Sequence, residues 1–168
     1  MVRASGGVLA HLLRMRLTIG VAATLVLACG AGASDSTPFP FGRAHADCGP
    51  ADGPAVRVLL ASSPLSEDLA VPAPRPSLDL VLNSTLTEAS GRSFLIESEG
   101  RGVAATAHGI LCAANGHCVS AKSGRIRLDS VSDSPSEITG TYNVTLEDGA
   151  RHSGRFKAAW VAFSPMCG

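Results

Sequence analysis

Alternation of apolar and polar residues is clearest near the end of the chain. Small or apolar residues occupy every second position from 138 to 146, with polar residues between them. This period of two is typical of a half-buried strand. Asp148-Gly149 follows as a turn signal, and a second alternation continues to Trp160. The pattern predicts a C-terminal β-hairpin.

Two registers are open for this hairpin. A two-residue Asp-Gly turn sets apolar positions against polar ones, whereas a three-residue loop with a left-handed Gly149 forms a bulge. The three-residue loop places Tyr142 opposite Gly154 and Phe156 opposite Gly140, so each ring covers glycine backbone. Because a slip of one residue would turn these side chains to the wrong face, we predict the bulged register.

Shorter runs upstream predict further strands, separated by turn signals such as Ser90-Gly91 and Asn115-Gly116. These runs lie at 56–60, 78–83, 94–96, 102–107, 109–112 and 125–129. No segment has the periodicity of a convincing amphipathic helix. Seven or eight short strands predict an all-β fold, either an antiparallel β-sandwich or a partly closed small barrel, ending in the C-terminal hairpin.

The chain divides into three predicted parts. Residues 1–28 read as a signal peptide, because Arg14 and Arg16 precede an uncharged apolar run of twelve residues, Leu17 to Ala28, which is short for a membrane span. Met15 is an alternative start. Residues 29–54 are predicted to form a flexible tether rich in small residues, and residues 55–168 a β domain with a proline-rich loop at 62–77.

The end of the leader reads Val26-Leu27-Ala28-Cys29-Gly30 and resembles the lipobox of bacterial lipoproteins. The resemblance implies acylation of Cys29, cleavage just before it, and a membrane partner held through the lipid anchor. Gly30 stands where an Asp favours inner-membrane retention in the enteric version of this family, so it implies the outer membrane of a bacterial cell envelope. The alternative is ordinary cleavage near Ala33, which leaves a secreted protein.

Composition and net charge restrict the classes of partner that we expect the protein to bind. Three basic residues precede Cys29, so the exported part holds 11 basic and 14 acidic residues, a formal net charge of −3. That balance predicts no nucleic-acid partner. Aromatic residues make up 4% of the chain, so the core must be built mainly from aliphatic side chains.

Cysteines predict how the domain is held together. Cys48, Cys112, Cys118 and Cys167 remain once Cys29 is set aside, an even number in an exported chain. Four cysteines allow three connectivities. We favour Cys112–Cys118 across the Asn-Gly turn, and Cys48–Cys167 between the two ends of the domain.

Metal binding is the alternative use of the same region. His108, Cys112, His117 and Cys118 lie within eleven residues and include the donors that zinc accepts. Their spacing matches no standard zinc finger, and an oxidising compartment favours the disulfide. We therefore predict no metal site and no cofactor.

Enzyme signatures are absent from the sequence: it has no Gly-x-Ser-x-Gly, no His-Glu-x-x-His and no phosphate-binding loop. The pattern from 124 to 158 resembles the closing part of small β domains in bacterial lipoproteins and implies no activity. We expect a non-enzymatic cell-envelope lipoprotein with a binding or structural role towards a protein or small-molecule partner. The alternatives are a carrier of a small ligand or metal ion, which needs a hollow barrel, and a secreted hydrolase, which needs a histidine and a carboxylate converging in a cleft.

Overall fold

The computed structural model describes residues 38–49, 52–97, 106–131 and 135–167. Eight strands and one short helix form there. The strands are β1 (Phe41–Cys48), β2 (Pro54–Ala61), β3 (Ser77–Leu82), β4 (Ser93–Glu97), β5 (Thr106–Cys112), β6 (Cys118–Leu128), β7 (Glu137–Leu146) and β8 (Arg151–Trp160), and the helix α1 spans Leu86–Ala89 between β3 and β4. The predicted signal peptide and Cys29 lie outside the described residues.

The strands close into a barrel in the order β1-β2-β3-β5-β4-β6-β7-β8. The predicted all-β fold is confirmed, and of the two architectures expected the chain forms the small barrel, which is fully closed. The strand pairs are antiparallel except for β1–β8 and β4–β5, which are parallel. Among the described residues every strand has a partner on both sides, although the two parallel contacts extend over only two residue pairs each.

The C-terminal hairpin has the bulged register. Leu146 N–H donates to the carbonyl of Ala150 at 2.8 Å, and Gly149 has a φ of 88°. Tyr142 faces Gly154, and Gly140 faces Phe156. The prediction that aromatic rings cover these two glycines is therefore confirmed.

Side chains fill the barrel interior. The inward positions of every strand contribute to one cluster, and its largest fully buried members are aliphatic except for Phe94. Phe39 and Ala89 join the cluster from outside the strands. An eight-stranded barrel has an interior just wide enough for side chains, so the inner volume is used for stability.

Strand β1 corrects the predicted organisation. Residues 29–54 were expected to be a flexible tether, and the first strand was expected at Val56; instead Phe41–Cys48 pairs with β2 along its whole length. Its inward positions are the small residues Gly42, Ala44 and Ala46, which give no apolar signal. The strand can bury such a weak face because it closes the barrel between β2 and β8.

Candidate binding groove beneath the proline-rich loop

Several polar side chains lie on the outer face of β1, β2 and β3, in two rows that run across the strands. Arg43 lies opposite Leu59, and Leu59 opposite Asp79. In the next row His45 lies opposite Arg57. These side chains share a face because successive residues of a strand point to opposite sides of the sheet. The loop at 62–76 connects β2 to β3 and contributes to the same surface.

Arg43 fastens the loop to this face. It is 5% exposed, and its Nη1 donates to the carbonyl of Asp68 at 3.0 Å and also to the carbonyl of Ser66. Burial, together with the nearby charge of Arg57, lowers the pKa of Arg43. Its Nε is buried without a hydrogen-bond partner in the structure. A buried donor left unpaired costs about 1–3 kcal/mol, so this atom marks a place where a partner would be stabilising.

Arg57 is held between two carboxylates. Its Nε donates to Asp79 Oδ1 at 3.0 Å and its Nη1 to Asp47 Oδ2 at 3.1 Å. The hydrogen bonds that Arg57 donates to Asp79, together with the charges of both carboxylates, raise the pKa of Arg57. This cluster is formally −1, so the positive charge of the neighbouring Arg43 balances it.

His45 is the second buried polar residue of β1. Although His45 falls in the predicted tether, its side chain is only 7% exposed, and the ring of Phe163 packs edge-on at a centroid distance of 6.0 Å. Burial lowers the pKa of His45, which the charge of Asp47 opposes only in part. The imidazole is therefore neutral near pH 7, and its Nδ1 is buried without a partner.

Both disulfides border this face with the predicted connectivity. Cys48 at the end of β1 is bonded to Cys167, with a Cα–Cα distance of 5.6 Å. Cys112 and Cys118 are paired across the turn between β5 and β6. Since both sulfur atoms of the alternative zinc set are consumed in this bond, and His108 and His117 are exposed, that set is not assembled. Within the described ranges, no group of three or more His, Cys, Asp or Glu side chains is placed to hold a metal ion.

The space between the loop and the polar rows is a groove of about 560 Å³. We call it the loop groove. Its walls combine Arg43, His45, Arg57, Arg75 and Asp79 with apolar side chains and the Cys112–Cys118 disulfide. The apolar members are Leu59, Leu69, Val71, Pro72, Ala73 and Ile110. Val71 and Ile110 remain 45% and 44% exposed, so the groove offers an apolar surface next to cationic and neutral nitrogen donors.

A catalytic arrangement is not assembled around His45. The groove also contains the hydroxyl of Ser77, but Ser77 lies four residues along β3 from Val81, the residue in the row of His45. That offset is roughly 13 Å along the strand, far beyond hydrogen-bond reach. In addition, no carboxylate of the described residues forms a hydrogen bond with His45 Nδ1.

The loop groove could not be read from the sequence. Arg43 and His45 fell in the predicted tether, and Asp79 is one polar residue within the predicted strand at 78–83. The only local signal is the alternation of Arg43, His45 and Asp47 with small residues. It predicts a strand once small residues are counted as inward positions.

No protein-family model, curated protein or solved structure matches this chain. The one helix among the described residues is far too short to cross a membrane.

Proposed function

We propose that this chain is an exported, lipid-anchored protein of the bacterial cell envelope, whose barrel is a non-enzymatic binding domain. The loop groove is its binding site. The observation that carries this proposal is a pair of buried nitrogens, Arg43 Nε and His45 Nδ1, which have no hydrogen-bond partner among the described residues and belong to side chains that line an open groove. Buried polar groups are nearly always paired, so two exceptions at one groove favour an absent partner.

The lining of the loop groove favours a small organic anion with an apolar body. Three arginines, Arg43, Arg57 and Arg75, line the groove beside the carboxylate of Asp79, so guanidinium groups are available to bind an anionic group. Val71 and Ile110 provide an exposed apolar surface for the rest of the ligand. Pockets for small molecules commonly combine apolar walls with a few placed polar groups.

Because side chains fill the interior of the barrel, a binding site on its outer face is favoured over a carrier that holds its ligand inside a hollow barrel. Leu60, Leu80 and Phe94 are fully buried inside the barrel, and a ligand there would have to displace them. Displacing well-packed side chains is unfavourable. The outer groove requires no such change.

Export and anchoring are tested by intact mass spectrometry of the protein recovered from its native membrane fraction, with and without reduction. The expected mass begins at Cys29 plus acyl groups and gains four hydrogens on reduction, one for each cysteine of the two disulfides. A mass without acyl groups would contradict the anchor, and no gain on reduction would contradict the disulfides.

Ligand binding in the loop groove is tested with anilinonaphthalene sulfonate, a fluorescent aromatic anion that has the proposed chemistry. We expect the Arg75→Glu variant to weaken binding of this probe at least tenfold, because a charge-assisted contact is replaced by repulsion. Arg92→Glu is the matched control, since Arg92 is exposed and is not part of the groove. Equal binding by both variants and the wild-type protein would place the probe elsewhere and contradict the proposal.

A further inference from the structure

Four exposed arginines lie together on the opposite side of the barrel. We call Arg125 and Arg127 of β6 and Arg151 and Arg155 of β8 the arginine face. Arg127 lies opposite Thr141, which lies opposite Arg155, so these two arginines flank one threonine at about two strand spacings, roughly 10 Å. The positions between the arginines carry hydroxyl and amide groups.

Carboxylates surround the arginine face but do not neutralise it. Glu137 is bound to Lys157 at 2.7 Å, and Asp129 accepts from the hydroxyl of Thr139 at 2.7 Å. Among the described residues, the other acids of β6, β7, β8 and their turns are Glu147 and Asp148, which lie in the hairpin turn. None of the four arginines forms an ion pair with a carboxylate of the described residues, so a local positive field persists although the exported chain is negative overall.

A shallow groove of about 740 Å³ indents this face beside Arg125 and Arg127. Ser93, Thr141 and Asn143 also line it. Two guanidinium groups together with neutral donors suit a phosphate oxygen, and the hydroxyl and amide groups suit the hydroxyls of a glycerol headgroup. The groove therefore matches the headgroup of an anionic phospholipid.

The chain enters the barrel at the edge of the same face. Pro40, just before β1, shares the wall of a second groove with Arg155 and Lys157. In the sequence, eleven residue steps separate Cys29 from Pro40, so a tether anchored at Cys29 spans at most about 40 Å. A barrel held this close to a bilayer contacts its surface frequently. Pro40, where the chain enters the barrel, lies beside the basic residues Arg155 and Lys157.

We propose that the arginine face docks the barrel onto a bilayer surface that contains anionic phospholipid. This inference rests on the proposed lipid anchor for proximity, and it adds a second contact to it. A lipid chain combined with a basic patch gives firmer membrane attachment than either alone. Docking in this way leaves the loop groove, on the other side of the barrel, open to its ligand.

The test is arginine footprinting of the full chain as its host processes it, reconstituted into vesicles of phosphatidylcholine with or without phosphatidylglycerol. Modification by phenylglyoxal is followed at each arginine by mass spectrometry. We expect phosphatidylglycerol to slow modification of the arginine face about fivefold per residue, with the protection lost at high salt. Arg75, which is exposed and lines the loop groove, is the internal control whose rate does not change.

Equal rates in both vesicles, or equal protection of Arg75, would overturn docking. Protection by soluble polyphosphate without protection by phosphatidylglycerol would also overturn it, because the face would then recognise a free polyanion. The intact mass of the same sample reports acylation separately. A protein without acyl groups contradicts the lipid anchor. The same unacylated protein can then be added to the vesicles, and protection of its arginines still tests whether the arginine face binds anionic phospholipid.

Discussion

Tyr142 shows how strongly the barrel controls a single side chain. It is the one tyrosine of the sequence, it is 2% exposed, and its hydroxyl is buried without a partner. Its ring lies over Gly154, where an added Cβ would come 3.2 Å from the ring carbon Cζ. The aromatic ring is therefore needed at this position, because it covers backbone that a smaller side chain would leave uncovered.

The titration of Tyr142 can be measured directly. Burial raises the pKa of Tyr142 to about 12 from its usual value of 10.0, since the phenolate is disfavoured in an apolar surrounding. The folded state therefore keeps its proton after the unfolded state has lost it, and stability is full below pH 10 and falls as the pH rises from 10 towards 12. Absorbance at the phenolate band should show the single transition near pH 12.

A transition near pH 10 in the folded protein would contradict this burial. The Tyr142→Phe variant is the control, because it removes the absorbance change and the alkaline loss of stability together. It also removes the unpaired hydroxyl, so we expect it to be no less stable than wild type near neutral pH.

At the scale of elements, close approach of backbones decides where β6, β7 and β8 can pack. A Cβ at Gly140 of β7 would contact the carbonyl oxygen of Arg127 in β6 and come 2.6 Å from Phe156 Cζ in β8. Both neighbours are themselves held by strand pairing. Glycine is therefore required at 140 by the sheet around it, although the sequence shows only a glycine in an alternating strand.

We expect Gly140→Ala to destabilise the protein by about 1–3 kcal/mol, because the added methyl group displaces backbone or the Phe156 ring. Gly53→Ala is the matched control. Nothing lies within 4 Å of its added Cβ, so its effect should stay within about 0.5 kcal/mol. Urea unfolding followed by the fluorescence of Trp160 measures both, and equal stability of the two variants would contradict the packing described for β7.

At the scale of the whole molecule, the two disulfides should contribute unequally. Cys48–Cys167 links residues 119 positions apart, at the beginning and the end of the barrel, whereas Cys112–Cys118 spans 6. The first bond therefore restricts residues 48–167 of the unfolded chain, and the second restricts only a turn. Stabilisation through the unfolded state grows with the length of the closed loop.

We expect replacement of Cys48 and Cys167 by serine to lower the free energy of unfolding by about 4–5 kcal/mol, and replacement of Cys112 and Cys118 by about 2 kcal/mol. Because small domains are marginally stable, the first variant should lose most of its stability. Denaturant unfolding of both double variants gives the comparison. Losses of equal size would show that the bonds act mainly in the folded state.

Local patterns determined most of the strands and the register of the closing hairpin. The alternation from Ile138 to Leu146 reports a buried face directly, and a left-handed Gly149 follows from the turn that this alternation requires. The Asn-Gly turn between Cys112 and Cys118 likewise pointed to the disulfide that joins them. These features could be predicted because side-chain alternation and turn conformation depend on residues that are close together in the sequence.

Tertiary structure alone decided the closure, β1 and the loop groove. Residues 41–48 form a strand because β2 and β8 pair with them from both sides, a condition that no local property of Gly42, Ala44 and Ala46 records. Arg43 and His45 are buried because a loop over twenty residues away and the tail at Phe163 cover them. Burial of polar groups by distant segments is set by the folded chain as a whole, so the candidate site became visible only with the barrel.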